Sequence, residues 1–137
     1  MTVHGLVLPL TVNLPRKTKK NLRWTLNLNA YRNTHHQILN KAKIAYKELI
    51  RHQIAELPKF NKISLTLTLF PKTKRLTDLD NICSIHAKFL LDALVELGRL
   101  QDDNYLYVPE ISFRFGEVDK GNPRVEAIIK NMEGEIW

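Results

Sequence analysis

From Lys62 to Phe70 the chain reads KISLTLTLF, with Ile63, Leu65, Leu67 and Leu69 alternating with Ser64, Thr66 and Thr68. This period of two predicts a strand with one buried face. Pro71 ends it. The periodicity then changes. Between Asp80 and Gly98, the residues Ile82, Ile85, Phe89, Ala93, Leu94 and Leu97 fall on one face of a helix, and Gly98 has the position of a C′ glycine. A strand and a helix that each carry one apolar face must bury it against another layer. The chain is therefore constrained to combine helices with a sheet.

The other segments fit that frame. Val3 to Asn13 alternates like a strand, with Pro9 placing it at an edge or bulge. Trp24 to Leu28 reads as a short strand leading to Asn29-Ala-Tyr-Arg32. A long helix is expected from near Asn33 to Leu57, with Asn33 or Thr34 as N-cap, Ile38, Ala42, Ala45, Leu49 and Ile54 facing inward, and Pro58 stopping it. Tyr105–Phe115 and Arg124–Lys130 read as strands, and the turn-rich residues 116–123 between them suggest a hairpin. Tyr105, Tyr107 and Phe113 are open to two readings, as core strand residues or as an exposed apolar interface. The acidic tail after Asn131 is expected to fray. The expected architecture is α/β, a mixed sheet packed on two main helices, in one domain over residues 1–137.

Composition narrows the class. A hydrophobic fraction of 44% with 26% charged residues argues for a folded domain rather than disorder. Lys and Arg number 21 against 14 acids, and the net charge of +7 favours a polyanionic partner, nucleic acid before membrane. The single cysteine, Cys83, excludes an internal disulfide and suits a reducing cytoplasm. No signal-peptide pattern begins the chain, and no apolar run approaches the roughly 18 residues of a membrane span. A soluble intracellular protein is expected. Arg16, Lys17, Lys19 and Lys20 crowd one loop, and Lys41, Lys43, Lys47 and Arg51 lie largely off the apolar stripe of the first long helix. Each group is either a solvated surface or a phosphate-contacting one. His35 and His36 are adjacent, point in different directions and do not suit one metal.

The stretch from Lys72 to Asp103 carries the chemistry. The cations Lys72, Lys74 and Arg75 precede Asp78-Leu-Asp-Asn81, and Asp102-Asp103 follow the helix. Phosphodiester hydrolysis needs charge neutralisation and an activated water, and Mg²⁺, which favours carboxylate ligands, supplies both. Asp78 and Asp80 can share one ion if that dipeptide is extended or turning. Asp103 would join them if its turn folds back, which requires its strand to run beside Lys62–Phe70. Plainer roles stay open: Asp80 as helix N-cap, Asp78 as a turn residue, Asp102-Asp103-Asn104 as a polar turn. Cys83 and His86 have the spacing of a zinc half-site, but no second pair completes it.

The ordered set Asp78-Leu-Asp-Asn81, an apolar helix, Asp92-Ala-Leu94, Gly98 and Asp102-Asp103 resembles the RusA family of Holliday-junction resolvases. The resemblance is strongest from Arg75 to Val108. Asn29-Ala-Tyr-Arg32 with the Lys-rich helix after it looks like the phage-type branch of that family. The resemblance implies a RusA-like homodimer, encoded by phage or prophage and acting in the bacterial cytoplasm. It implies an endodeoxyribonuclease that uses Mg²⁺, with Mn²⁺ as a substitute, to cut branched four-way DNA by paired symmetrical nicks. Asp78, Asp80 and Asp103 match the family's catalytic, metal-binding acids, with Asp102 as second choice. One departure stands out. The family's better-known form has a lysine four residues after the second acid, where this chain has Ser84. Counting back from Asp92 puts Lys88 in that place, with Lys74 and Arg75 as alternative cations. The backbone-contacting set expected for DNA is Arg16, Lys17, Lys19, Lys20, Arg32, Lys43, Lys47, Lys74 and Arg75. Two other readings compete: a non-catalytic DNA-binding protein of phage replication or packaging, and a nuclease for forks or flaps.

Overall fold

The computed structural model describes residues 2–132. In chain order the elements are β1 (Val3–Leu8), β2 (Thr11–Leu14), β3 (Leu22–Thr25), α1 (Leu28–Asn33), α2 (His36–Ala55), β4 (Ile63–Phe70), α3 (Leu79–Glu96), β5 (Glu110–Phe115) and β6 (Arg124–Asn131). Four strands form a mixed sheet in the order β1-β6-β4-β5, and β2 and β3 form a separate two-stranded ribbon. β4 is parallel to β5 and antiparallel to β6. The expected α/β arrangement is present, with α1 as a short third helix.

The alternation in β4 works as its chemistry demands. Ile63, Leu65, Leu67 and Leu69 are fully buried, while Ser64, Thr66 and Thr68 lie half-buried on the open face. Leu6 and Leu8 from β1 and Val125, Ala127 and Ile129 from β6 extend the buried face. In α2 the buried stripe is Ala42, Tyr46, Ile50 and Ile54. The expected inward residue Leu49 is instead 51% exposed. Tyr46 takes the core position because its hydroxyl finds a buried partner, His86 Nδ1, at 3.0 Å. Trp24 stacks on Phe89 with the rings 5.6 Å apart, joining the β2–β3 ribbon to α3.

Several boundaries differ from expectation, each for a local reason. Pro9 does more than mark an edge. With Leu10 it divides the Val3–Asn13 segment into β1 and β2, which lie in different sheets. The Trp24–Leu28 segment is strand only to Thr25, because Asn27 caps α1 by accepting a hydrogen bond from the Ala30 amide. α2 is capped by His35 rather than by Asn33 or Thr34; Thr34 closes α1, and its hydroxyl accepts the Trp24 indole N–H. Tyr105–Tyr107 is a turn rather than strand. The Asn104 side chain accepts from the Leu106 amide and its carbonyl from Tyr107 and Val108, so β5 starts only at Glu110. Tyr105 is 78% exposed, whereas Tyr107 and Phe113 pack on the core.

The expected β5–β6 hairpin does not form, because β4 lies between the two strands. The connection crosses the end of β4: the Gly116 amide donates to Leu69 O and the Asp119 amide to Pro71 O. A Cβ on Gly116 would sit 2.5 Å from the Phe70 ring, so the crossing needs glycine. Arg124 then stacks on Phe70, 4.1 Å from the ring centroid.

The two sheet edges are treated differently. On β1, the Gln53 amide of α2 accepts from the Val7 N–H at 2.7 Å and donates to its carbonyl at 2.8 Å. On β5, no hydrogen bond reaches the outer backbone edge among the described residues. Among these residues, too, no helix is long and apolar enough to cross a membrane. The acidic tail, from residue 133 on, lies outside the described residues.

Candidate functional site

β4, α3 and β5 form a parallel β–α–β unit, and this unit positions the acids. α3 begins at the C-terminal ends of the two strands, where Pro71, Leu79 and Phe115 line one cavity. It ends at their N-terminal ends, where the Phe60 amide donates to Arg99 O and the Ile63 amide to Tyr107 O. Gly98, at φ +76°, turns the chain out of the helix.

Asp78 occupies the N-cap of α3 but makes no capping hydrogen bond with its side chain. Asp80 lies in the first turn, and its carboxylate has no hydrogen-bond or ion-pair partner among the described residues. Both carboxylates are exposed, at the positive end of the helix dipole. The capping role open to Asp80 is not the one it fills. Asn81 orders the neighbourhood: its side-chain oxygen accepts from the Leu28 amide at 3.2 Å and ties the start of α1 to the start of α3. The adjoining loop, residues 71–77, is exposed apart from Pro71, and the side chains of Lys74 and Arg75 have no partner among the described residues. With Leu76, Leu79, Phe115 and Val118 these two cations line a cavity of about 350 Å³.

Asp103 is not brought to this place. It sits in the turn that leads into β5, beside the start of β4, at the other end of α3. An 18-residue helix spans about 25 Å, and that length separates Asp78 and Asp80 from Asp103 within one chain. The strand after Asp103 does run beside β4, as required, but parallel to it, so Asp103 meets the wrong end. Among the described residues no cluster of three or more His, Cys, Asp or Glu side chains is arranged to hold a metal. Within the Asp102-Asp103 pair the roles divide. The Asp102 carboxylate accepts from the Asp103 amide and from the Asn104 side chain, whereas the Asp103 carboxylate has no partner among the described residues.

The cations divide as well. Lys88 is exposed, about 12 Å along the axis from Asp80, with its ammonium 5.9 Å from the Tyr31 ring centroid on α1. Ser84 donates its hydroxyl to the Asp80 carbonyl. Lys43 and Lys47, expected on a DNA-facing surface, are instead turned to α3. Lys47 Nζ is 2.7 Å from Glu96 and Lys43 Nζ is 3.7 Å from Asp92. Arg51 pairs with Glu48. The basic face of α2 is thus largely neutralised. Arg16 closes its loop by donating to Lys20 O, and leaves Lys17, Lys19 and Lys20 exposed. Arg32 is exposed in the last turn of α1.

Cys83 and His86 belong to the core. Burial, with the nearby Asp80 carboxylate, pushes the Cys83 thiol up to about 11. Burial lowers the His86 imidazole to about 3, so it is neutral against Tyr46. The contributions of Tyr31, Asn81 and Gln53 were not foreseen; only the place of Asn81 inside the DLDN run hinted at its role. No family model matches the chain, and no curated protein matches it.

Proposed function

We propose that this chain is a Mg²⁺-dependent, structure-selective endodeoxyribonuclease of the RusA type, acting on four-way DNA. The observation that carries this reading is the pair of unpartnered carboxylates, Asp78 and Asp80, at the start of α3, beside the unpartnered cations Lys74 and Arg75. Carboxylates held only by structural duties would be expected to cap the helix or pair with those cations, and they do neither. Two hard oxygen donors open to water fit a Mg²⁺ ion, which commonly takes one or two carboxylates and keeps several waters. Bound there, the metal supplies charge neutralisation and a more acidic water.

The chain's own residues do the rest. Asp78 and Asp80 bind and orient. Lys74 and Arg75 stand where they can meet charge that grows on the phosphate in the transition state. The exposed Lys17, Lys19, Lys20 and Arg32 hold backbone phosphates without reading sequence. A four-way junction has two-fold symmetry, which a homodimer with dyad-related sites matches.

The distance of Asp103 from the other acids favours, as a second reading, a DNA-binding protein without catalysis. A panel of end-labelled four-way junction, fork, flap and linear duplex, incubated with Mg²⁺, separates the two. The nuclease reading expects paired nicks in the junction. Binding of the junction with every strand intact overturns it, and cutting confined to forks or flaps moves the substrate.

A further inference from the structure

The loop that carries Lys74 and Arg75 also builds a cavity that the acids do not use. Residues 71–77 and the start of α3 form one wall, and the chain leaving β5 forms the other. The Asp119 amide donates to Pro71 O and fastens the two walls together. The Arg75 amide donates to the Thr73 hydroxyl at 3.3 Å and shapes the loop. Backbone bonds thus hold the space open.

We infer that this cavity takes one unpaired base of a bound DNA, and that the chain selects DNA by the presence of such a nucleotide, a bulged linear duplex included. The inference rests on the proposed reading of a DNA substrate and names the feature of that DNA that is recognised.

The lining matches both parts of a nucleotide. Leu76, Leu79, Phe115 and Val118 offer an apolar surface, and Phe115 is 56% exposed. An accessible aromatic ring stacks on any base, whatever its identity. Lys74 and Arg75 lie in the same lining, their side chains without partners among the described residues, and no acid lines the cavity. The base meets the apolar wall, and its phosphate meets the cations. The volume of about 350 Å³ is at the small end of the range for small-ligand sites, about 300–1,000 Å³, and suits one nucleoside.

Leu76 favours the same use. It is 95% exposed, so it adds nothing to the core, and it stands in sequence between the cations and the acids. An apolar side chain that folding does not need, set in a basic loop, fits a wedge that enters a base step.

Unpaired bases are the ones such a cavity can take. In an intact duplex each base is stacked and paired, and extracting one costs both interactions. The cost is least for a base that already lacks a partner. A bulge or a flap supplies such a base, and a base at an opened branch point lacks a neighbour on one side. Selectivity for structure then follows from one base and its phosphate, with no contact that reads sequence.

The test measures binding without divalent metal, so that no cleavage enters it. Fluorescence anisotropy compares a paired linear duplex, the same duplex with one unpaired deoxyadenosine at its centre, and the same bulge with its base removed as an abasic site. The bulged duplex should bind at least about 5-fold tighter than the paired one, the lower end of what one stacked base contributes, and the abasic bulge should lose that gain. Leu76→Ala and Phe115→Ala should each remove most of the gain and leave paired-duplex affinity within about two-fold. Leu76→Ala decides alone if Phe115→Ala fails to fold, because so exposed a side chain is not part of the core. Equal affinity for paired and bulged duplex overturns the inference. So does an abasic bulge bound as tightly as the bulge with its base, which assigns the gain to DNA bending. If the variants keep the wild-type preference but lose mass in DNA-free light scattering, the cavity belongs to a second copy of the chain and the inference is likewise overturned. A base-dependent preference in a protein that nicks no DNA with Mg²⁺ leaves the cavity standing and overturns only the nuclease reading. Nicking without that preference does the reverse.

Discussion

Asp80 and Asp103 stand at opposite ends of α3, about 25 Å apart along an 18-residue helix. Among the described residues neither carboxylate has a hydrogen-bond or ion-pair partner, although the Asp102 side chain, adjacent to Asp103, has two. Acids kept free at both ends of one helix are hard to explain as stabilisers of that helix.

The division of labour in the Asp102-Asp103 pair leads to a first prediction. Asp102→Ala removes the acceptor for two hydrogen bonds in an exposed turn and should cost about 1 kcal/mol of stability. Junction cleavage should stay within a few-fold. Asp103→Asn should leave the denaturation midpoint unchanged and lower cleavage by at least about 100-fold. Urea melts and single-turnover nicking rates measure both.

Lys17 and Lys47 should part company in salt titrations of junction binding. Lys17, in the exposed loop, is free to neutralise a phosphate, so Lys17→Ala should make the slope of log affinity against log salt shallower by about 0.9. Lys47 is held 2.7 Å from Glu96. Lys47→Ala should leave the slope unchanged and cost about 0.5–1 kcal/mol of stability, the range of a partly exposed ion pair.

Acid should destabilise the fold through His86. Its imidazole is lowered from 6.5 to about 3 by burial, so the unfolded chain binds a proton that the folded chain refuses. The stability contribution is intact above pH 6.5 and is lost as pH falls from 6.5 toward 3. The slope approaches about 1.4 kcal/mol per pH unit for this group. His86→Leu should flatten that part of the curve in urea melts at successive pH values, and an unaltered slope would assign the acid loss to other groups. Tyr46→Phe leaves His86 Nδ1 without its partner and should cost about 1–3 kcal/mol at neutral pH.

Gln53 guards the β1 edge. Gln53→Ala strips both partners from the Val7 backbone. The loss should be about 1 kcal/mol, with concentration-dependent association that the wild-type edge does not show. Light scattering across a dilution series reads it directly.

Much of this fold was legible wherever a single segment carried its own signal. β4 and α3 could be read because each has one wet and one dry face, and their periods differ. Gly98 could be read because a positive φ selects glycine. Non-local facts were not legible. The turn residues 116–123 looked like a hairpin, but nothing local says that β4 lies between β5 and β6; the close approach of Gly116 to Phe70 is what records it. The stripe on α2 was read one residue astray because Tyr46, a polar aromatic, is buried through a partner 40 residues away. Lys43 and Lys47 looked like free charge until α3 supplied Asp92 and Glu96. At the candidate site, the ordered motif singled out Asp78, Asp80 and Asp103 together, but whether they meet depends on strand direction. Helix length was the missed signal: a residue just past an 18-residue helix starts at the far end of it.

In the proposed function, Asp78 and Asp80 are the metal-binding carboxylates of a nuclease site. The most direct test compares wild type with Asp80→Asn on a labelled four-way junction, measuring binding and Mg²⁺-dependent strand cleavage in the same samples. The account predicts unchanged junction affinity and a loss of cleavage of at least about 100-fold. Cleavage by Asp80→Asn at the wild-type rate would contradict it.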